Sequence, residues 1–461
     1  MSIGAKRLST IPAVAAFTTD SAPPPEARRR AAAAILDTVG VALAGASEPA
    51  SRAVQHVIAA DGGNACTVLG TGSRASASNA ALANGTAAHA LDYDDMCFVS
   101  LAHPSAPLVS ALLAAGELAG APGLRLVEAY VIGFEVEARL GRLMNPRHYQ
   151  RGWHCTSTLG GIGAAAACSR LLGLDARAAG HAIAIAASEA SGLKENFGTM
   201  IKPLHAGLAA RDGTMAALLA RSGLTGSDLA LDGPQGFLRA MDSERDDLGR
   251  EIADLGVRWE IVDTGITVKL YPSCAGTHPS LDAILALRQR EAITADEVEG
   301  VEIDVDRIVP TILIYDRPAT GLEGKFSMPF CAAAAIVFGQ VGVETFESDR
   351  LSDPRVTSLM ARVHMTVDPS LGVAAPPLTE ARVRLRLRDG RVLTGAANGA
   401  RGYPENPASE AELDTKFLAC ATRTIPEASA RNALSLLHGI ERLPDIRELL
   451  SVLACVHASR S

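Results

Sequence analysis

Two histidines and three carboxylates fall within one short stretch, Asn84-Gly85-Thr86-Ala87-Ala88-His89-Ala90-Leu91-Asp92-Tyr93-Asp94-Asp95, followed by Ala102-His103-Pro104-Ser105. Its flanks are rich in Ala and Leu. Polar groups this dense, set between apolar helices, are costly to bury unless they pair with one another or with a ligand. The stretch therefore reads as the floor of an active site. His89 and Asp92 stand three apart and are expected to share a helical face. Asn84, His89 and Asp94 read as structural support for the site, and Asp92 and His103 as site residues.

Three further groups carry chemistry. Trp153-His154-Cys155-Thr156-Ser157-Thr158 sets a histidine beside three hydroxyls, an arrangement suited to a general acid or base. A Cys155–His154 nucleophile is set aside, because adjacent residues point apart and no acyl-transfer motif accompanies them. Lys202 and His205 flank Pro203 at an expected helix start, where a lysine among small apolar residues needs an anionic partner or a shifted pKa. Lys269-Leu270-Tyr271-Pro272-Ser273-Cys274-Ala275-Gly276-Thr277-His278 mixes a cation, a phenol, a thiol and a histidine. His103 and His278 each begin a His-Pro-Ser step, which places them at helix N-termini that favour a bound carboxylate. Cations to hold carboxylates, with His or Lys to move a proton, suit acid–base chemistry on a polycarboxylate.

The elements that position these groups are mostly helical. Pro23-Pro24-Pro25-Glu26 opens a helix through Ala44, with Asp37 inside its apolar face and expected to bond a neighbouring helix end. Helical spacing recurs over Ala50 to Ala60, from Pro104 through Leu118, over Leu124 to Met144, Gly160 to Leu174, Ala176 to Ala190 and Leu208 to Arg221. The texture changes near Thr264. Val301-Glu302-Ile303-Asp304-Val305 and Arg382-Val383-Arg384-Leu385-Arg386-Leu387 alternate as strands, Asp389-Gly390 turns, and Val392-Leu393-Thr394 and Val363 to Val367 add further strands. Ser280 to Arg290 and Met328 to Phe338 read as helices between them. Helices resume over Glu410 to Ala421, Ala428 to Leu437 and Ile446 to Val456. The expected fold is mainly α: a large helical domain from both terminal parts, 1–263 and 403–461, with a smaller α+β lid domain inserted at 264–402.

Totals narrow the classes. At 461 residues two cores are expected, and 48% hydrophobic with 20% charged residues fits a folded globular chain. The net charge of −8, with no basic block beyond Arg28-Arg29-Arg30, argues against nucleic acid. The eight cysteines form no C-x-x-C pair, so no zinc or iron–sulfur site is expected and a reducing cytosol is. Lys6 and Arg7 precede a short apolar run that Pro12 interrupts, and the run from Phe330 to Gln340 is too short for a bilayer. A cytoplasmic protein without membrane attachment is expected. No phosphate loop or dinucleotide fingerprint occurs.

Taken together these segments resemble the MmgE/PrpD family, which includes 2-methylcitrate dehydratase, cis-aconitate decarboxylase and iminodisuccinate epimerase. The matching segments are Leu36-Asp37-Thr38-Val39-Gly40, the stretch from Asn84 to Asp95, His103-Pro104-Ser105, Gly152-Trp153-His154 and the run from Gly198 to Gly207. Tyr271-Pro272-Ser273-Cys274, Lys325-Phe326-Ser327 and Pro404-Glu405-Asn406-Pro407 complete them. The resemblance implies a homodimer, a site between helical and lid domains, and catalytic positions Asp92, His103, His154, Lys202 and Lys269. Tyr149, Ser105, Thr156, Tyr271, Cys274 and His278 are the expected substrate-binding residues, with no metal and no cofactor. The implied activity is a lyase of the 2-methylcitrate dehydratase type, in which His154 or Lys202 removes a proton alpha to a carboxylate of a di- or tricarboxylic acid. Decarboxylation of a cis-aconitate-like acid, epimerisation of an iminodisuccinate-like acid, and carboxylate binding without turnover are the alternatives. Met96 stands where dehydratases and decarboxylases usually carry Thr. In its Asp92–His103 loop length and its 148–160 segment the chain is more similar to iminodisuccinate epimerase.

Overall fold

The computed structural model describes residues 10–241, 243, 248–374 and 378–454. The chain is mainly α-helical and divides into two compact units. One comprises residues 1–90, 94–266 and 410–461, the other residues 91–93 and 267–409. Lys6, Arg7 and Cys455 lie outside the described residues, as does the end of the last expected helix at Val456.

The first unit is a stack of Ala- and Leu-rich helices, including Pro25–Gly45, Ala77–Ala90, Ser105–Ala119, Gly123–Met144, Gly160–Leu172 and Ile201–Arg221. A single apolar cluster from Ile11 to Leu453 fills it. Small side chains let these helices approach closely. Ala77–Ala90 and Ile201–Arg221 meet at Gly85 and Gly207, where a Cβ on Gly207 would come within 2.2 Å of Thr86 Oγ1. That contact sets His89, one turn beyond Gly85, beside the first turn of the partner helix. A short hairpin, β1 (Cys66–Val68) with β2 (Ser73–Ala75), is tied to the Ala77–Ala90 helix by Asn84, whose amide accepts from Leu69 N and donates to Thr67 O.

The second unit holds a sheet ordered β4-β3-β5-β6, formed by β3 (Val298–Val305), β4 (Val363–Val367), β5 (Glu380–Leu387) and β6 (Val392–Asn398). β3 pairs parallel with β4 and antiparallel with β5. Val301, Ile303, Val383 and Leu385 are buried, and His278–Glu291 packs on the β5–β6 side. The alternate Arg384 meets Glu302 and Asp304 across the strands. Among the described residues no single helix is long and apolar enough to cross a membrane.

Three local expectations are corrected. The Ala77–Ala90 helix stops before Asp92, which takes a left-handed φ of 51°, so His89 and Asp92 do not share a helical face. Asp37 bonds no helix end. Its buried carboxylate lies 2.7 Å from the buried ammonium of Lys416, on the helix Glu410–Ala421. The helix expected to begin at Pro104 begins at Ser105, which puts His103 ahead of the cap residue Pro104.

Candidate active site

In the first unit the chemistry gathers around His89. Its Nδ1 lies 2.7 Å from Asp94 Oδ2 and its Nε2 lies 3.0 Å from Lys202 Nζ. A carboxylate only accepts, so Nδ1 carries the proton and Nε2 presents a lone pair. Lys202 then donates one N–H to His89. All three side chains are buried, Lys202 being 5% exposed, so the anion–imidazole–cation order compensates the desolvation of both charges. Lys202 sits in the first turn of Ile201–Arg221, with the ring of Phe197 5.5 Å from Nζ.

His103 and His154 complete the group. The His103 ring packs edge-on against His89 at 4.5 Å, and its Nδ1 is 3.5 Å from Asp94 Oδ2. Its backbone N–H donates to Thr156 Oγ1 at 3.0 Å. His154 stacks on His89 at 5.8 Å, and its Nδ1 is 3.1 Å from Nδ1 of His205. Two facing ring nitrogens hold one proton between them, so one is donor and the other acceptor. Burial above all, with the charge of Lys202 adding to it, pushes His205 down to about 4 and keeps it neutral at physiological pH. A protonated His154 can therefore donate to His205, or a neutral one accept from it. The arrangement gathers Lys202 at 3.0 Å and the rings of His103 and His154 at 4.5 and 5.8 Å around His89.

His89, Asp94 and His103 also offer donors close enough for one divalent ion. Both nitrogens of His89 are engaged, however, and an ammonium 3.0 Å from Nε2 opposes a cation there. The donor set fits proton transfer better than metal binding.

In the second unit Lys269, 1% exposed, donates to Asp92 O at 2.9 Å and lies 3.0 Å from Asp92 Oδ2. Lys325 donates to the adjacent carbonyl of Leu91 at 2.7 Å and to Pro272 O at 2.8 Å. Two ammonium groups on consecutive carbonyls hold Asp92 in its left-handed conformation, which an Asp adopts at modest cost.

The expected substrate-binding residues fall in different settings. Thr156 holds the His103 backbone. Ser105 is buried, its hydroxyl against Asp95 and Tyr130. Lys194 covers the ring of Tyr149 at 3.4 Å and donates to its carbonyl. Tyr271 donates to Asp282 at 2.5 Å, and Arg401 lies 3.3 Å from its phenol oxygen; burial and Asp282 push that phenol up. His278 is the first residue of its helix, buried, with Nε2 donating to Ser273 O at 3.1 Å. Cys274 is buried, and its backbone N–H donates to Lys325 O. The thiol of Cys155 is pushed up to about 12 by burial, which leaves no thiolate for a nucleophile.

The centrality of His89 is the feature that sequence reading missed. Its signal is the pair Gly85 and Gly207, small residues close to a histidine and a lysine, which bring two helices into backbone contact.

Comparison with known proteins follows the same segments. Residues 12–247 match the MmgE/PrpD N-terminal domain and residues 271–441 the MmgE/PrpD C-terminal domain. Cis-aconitate decarboxylase of Mus musculus is 29% identical over 438 residues, covering 91% of this chain and 87% of that protein. The Homo sapiens protein of the same name is 28% identical over 386 residues, covering 81% and 79%. Cis-aconitate decarboxylase of Aspergillus terreus is 27% identical over 447 residues, covering 91% and 90%.

Proposed function

This chain belongs to the MmgE/PrpD family, and from that premise we propose that it is a lyase acting on a di- or tricarboxylic acid, with decarboxylation of a cis-aconitate-like substrate as its reaction. The observation that carries the reading is the Asp94–His89–Lys202 series beside His103 and His154. Decarboxylation breaks the C–C bond to one carboxylate, which leaves as carbon dioxide. The electron pair passes into the remaining unsaturated acid, and one carbon must then receive a proton. Lys202, which donates to the lone pair of His89, is the proposed proton donor. Solvent returns the proton to it. His103 and His154 hold the developing anion or shuttle the proton. For Asp92 and Lys269 we propose a role in holding a substrate carboxylate.

Dehydration of a 2-methylcitrate-like acid instead removes a proton and expels a β-hydroxyl. Met96 supplies no hydroxyl to help that group leave. Epimerisation of an iminodisuccinate-like acid is the second reading. The His154–His205 pair supports it, as a second group beside Lys202 able to carry a proton.

The test is a substrate panel of cis-aconitate, 2-methylcitrate and an iminodisuccinate-type dicarboxylate, read for carbon dioxide, water loss and chirality. Carbon dioxide from the first is expected. Absence of any product and of any carbon-bound proton exchange across the panel sinks the enzyme reading and leaves a carboxylate-binding protein.

A further inference from the structure

The helix Ser105–Ala119 has no capping side chain at its own N-cap, Pro104. A carboxyl ten residues upstream takes that place. Asp95 Oδ1 accepts from Ser105 N at 3.2 Å, while its other oxygen meets Ser105 Oγ, which in turn meets the phenol of Tyr130. All three side chains are buried. The segment between the clasped ends, Met96 to Pro104, is pinched once more where Cys97 and Ala102 exchange backbone hydrogen bonds. His103 is thus presented from a closed loop whose two ends are fastened by one carboxyl.

We propose that Asp95 is a positioning residue for His103, its carboxyl clasping Ser105 and Tyr130 so that the loop 96–104 holds the imidazole against His89 and Asp94. The role in turnover rests on the proposed lyase reading; the role in holding the loop does not. An unsatisfied helix start and a slack loop would let the ring wander by far more than proton transfer tolerates. Burial favours the neutral form of the clasping carboxyl, while its hydrogen bonds from Ser105 favour the charged one. Burial pushes Asp95 up to about 8, and the acids around it add to this: Asp94 beside it in sequence, and Asp37 on Pro25–Gly45, which Lys416 partly offsets. From Gly123–Met144, the phenol of Tyr130 and the carboxyl of Glu137 face the same region, and both are pushed well up by burial and by Asp95. Ser105, expected to touch substrate, is part of this clasp.

The test compares Asp95→Ala, Asp95→Asn and Ser105→Ala with the wild type, using carbethoxylation of His103 followed by peptide mass spectrometry, which needs no turnover. Loss of one helix cap opens a local segment about fivefold more often. His103 is expected to react about fivefold faster in Asp95→Ala and Ser105→Ala, and at nearly the wild-type rate in Asp95→Asn, whose amide keeps an acceptor for Ser105 N and a donor for its hydroxyl. If Asp95→Ala does not fold, Ser105→Ala against Asp95→Asn decides. Unchanged His103 reactivity in the folded variants overturns the proposal. With an active enzyme, kcat falls in Asp95→Ala and Ser105→Ala while KM holds, and Asp95→Asn keeps the wild-type kcat. An inactive wild type with altered His103 reactivity contradicts only the lyase reading.

Discussion

Lys202 Nζ lies 3.0 Å from His89 Nε2, and the opposite nitrogen of the same ring lies 2.7 Å from Asp94. One imidazole therefore couples a buried cation to a buried anion. It also fixes the direction in which the lysine can act. In the proposed reaction, replacing Lys202 removes the acid, whereas replacing His89 leaves it unsteered. Lys202→Met is expected to lower kcat by about 10³-fold and His89→Leu by about 10²-fold, each with a native circular dichroism spectrum. Equal, small effects from both variants would contradict the order of the series.

The helix contact that creates this pairing has its own prediction. A methyl group on Gly207 would meet Thr86 Oγ1 at 2.2 Å and Leu82 O at 2.4 Å. Backbone must move, and Lys202 moves with it. Gly207→Ala is expected to lower Tm by several degrees and kcat by about tenfold or more. A variant of wild-type stability would show that the two helices do not touch here.

Asp37 and Lys416 predict non-additivity. Removing one partner of this buried 2.7 Å pair strands the other charge. Lys416→Met should cost about 3–5 kcal/mol in urea unfolding, and the double variant Asp37→Leu/Lys416→Met much less than the sum of its singles. Additive losses would contradict a buried pair.

Asp95 gives a pH dependence. Its carboxyl is raised from 3.8 to about 8 by burial. A raised acid contributes stability that is complete below the unfolded pKa and is lost as pH rises through the folded value, because the folded state then binds more protons than the unfolded one. Between pH 5 and 8 the wild type should lose at least about 1 kcal/mol relative to Asp95→Asn, whose amide does not titrate. Parallel stability curves for the two proteins would refute this.

Much of the architecture is legible in the chain because it rests on local patterns. Met328–Phe338 is helical where its apolar run ends at Gly339, and β5 follows the Arg/Val/Leu alternation of residues 382–387. The helical majority follows from the Ala-rich spacing. What escapes is non-local. Nothing in the spacing of His89 and Asp92 signals that the helix ends between them, because Asp92 takes its left-handed turn on ammonium groups from Lys269 and Lys325, far along the chain. Likewise the Asp37–Lys416 pair joins residues 379 positions apart by number, and Ser105 reads as a ligand contact until Tyr130 is seen behind it. The motif residues His103, His154 and Lys202 do gather in one unit. The histidine that joins them had read as scaffolding.

In the proposed reaction Lys202 delivers a proton to substrate carbon. Turnover of cis-aconitate in deuterated water, compared between wild type and Lys202→Met, tests it most directly. The prediction is carbon dioxide release by the wild type with one solvent deuterium fixed on the product, and a loss of about 10³-fold in Lys202→Met. Full-rate, fully deuterated product from Lys202→Met would contradict it.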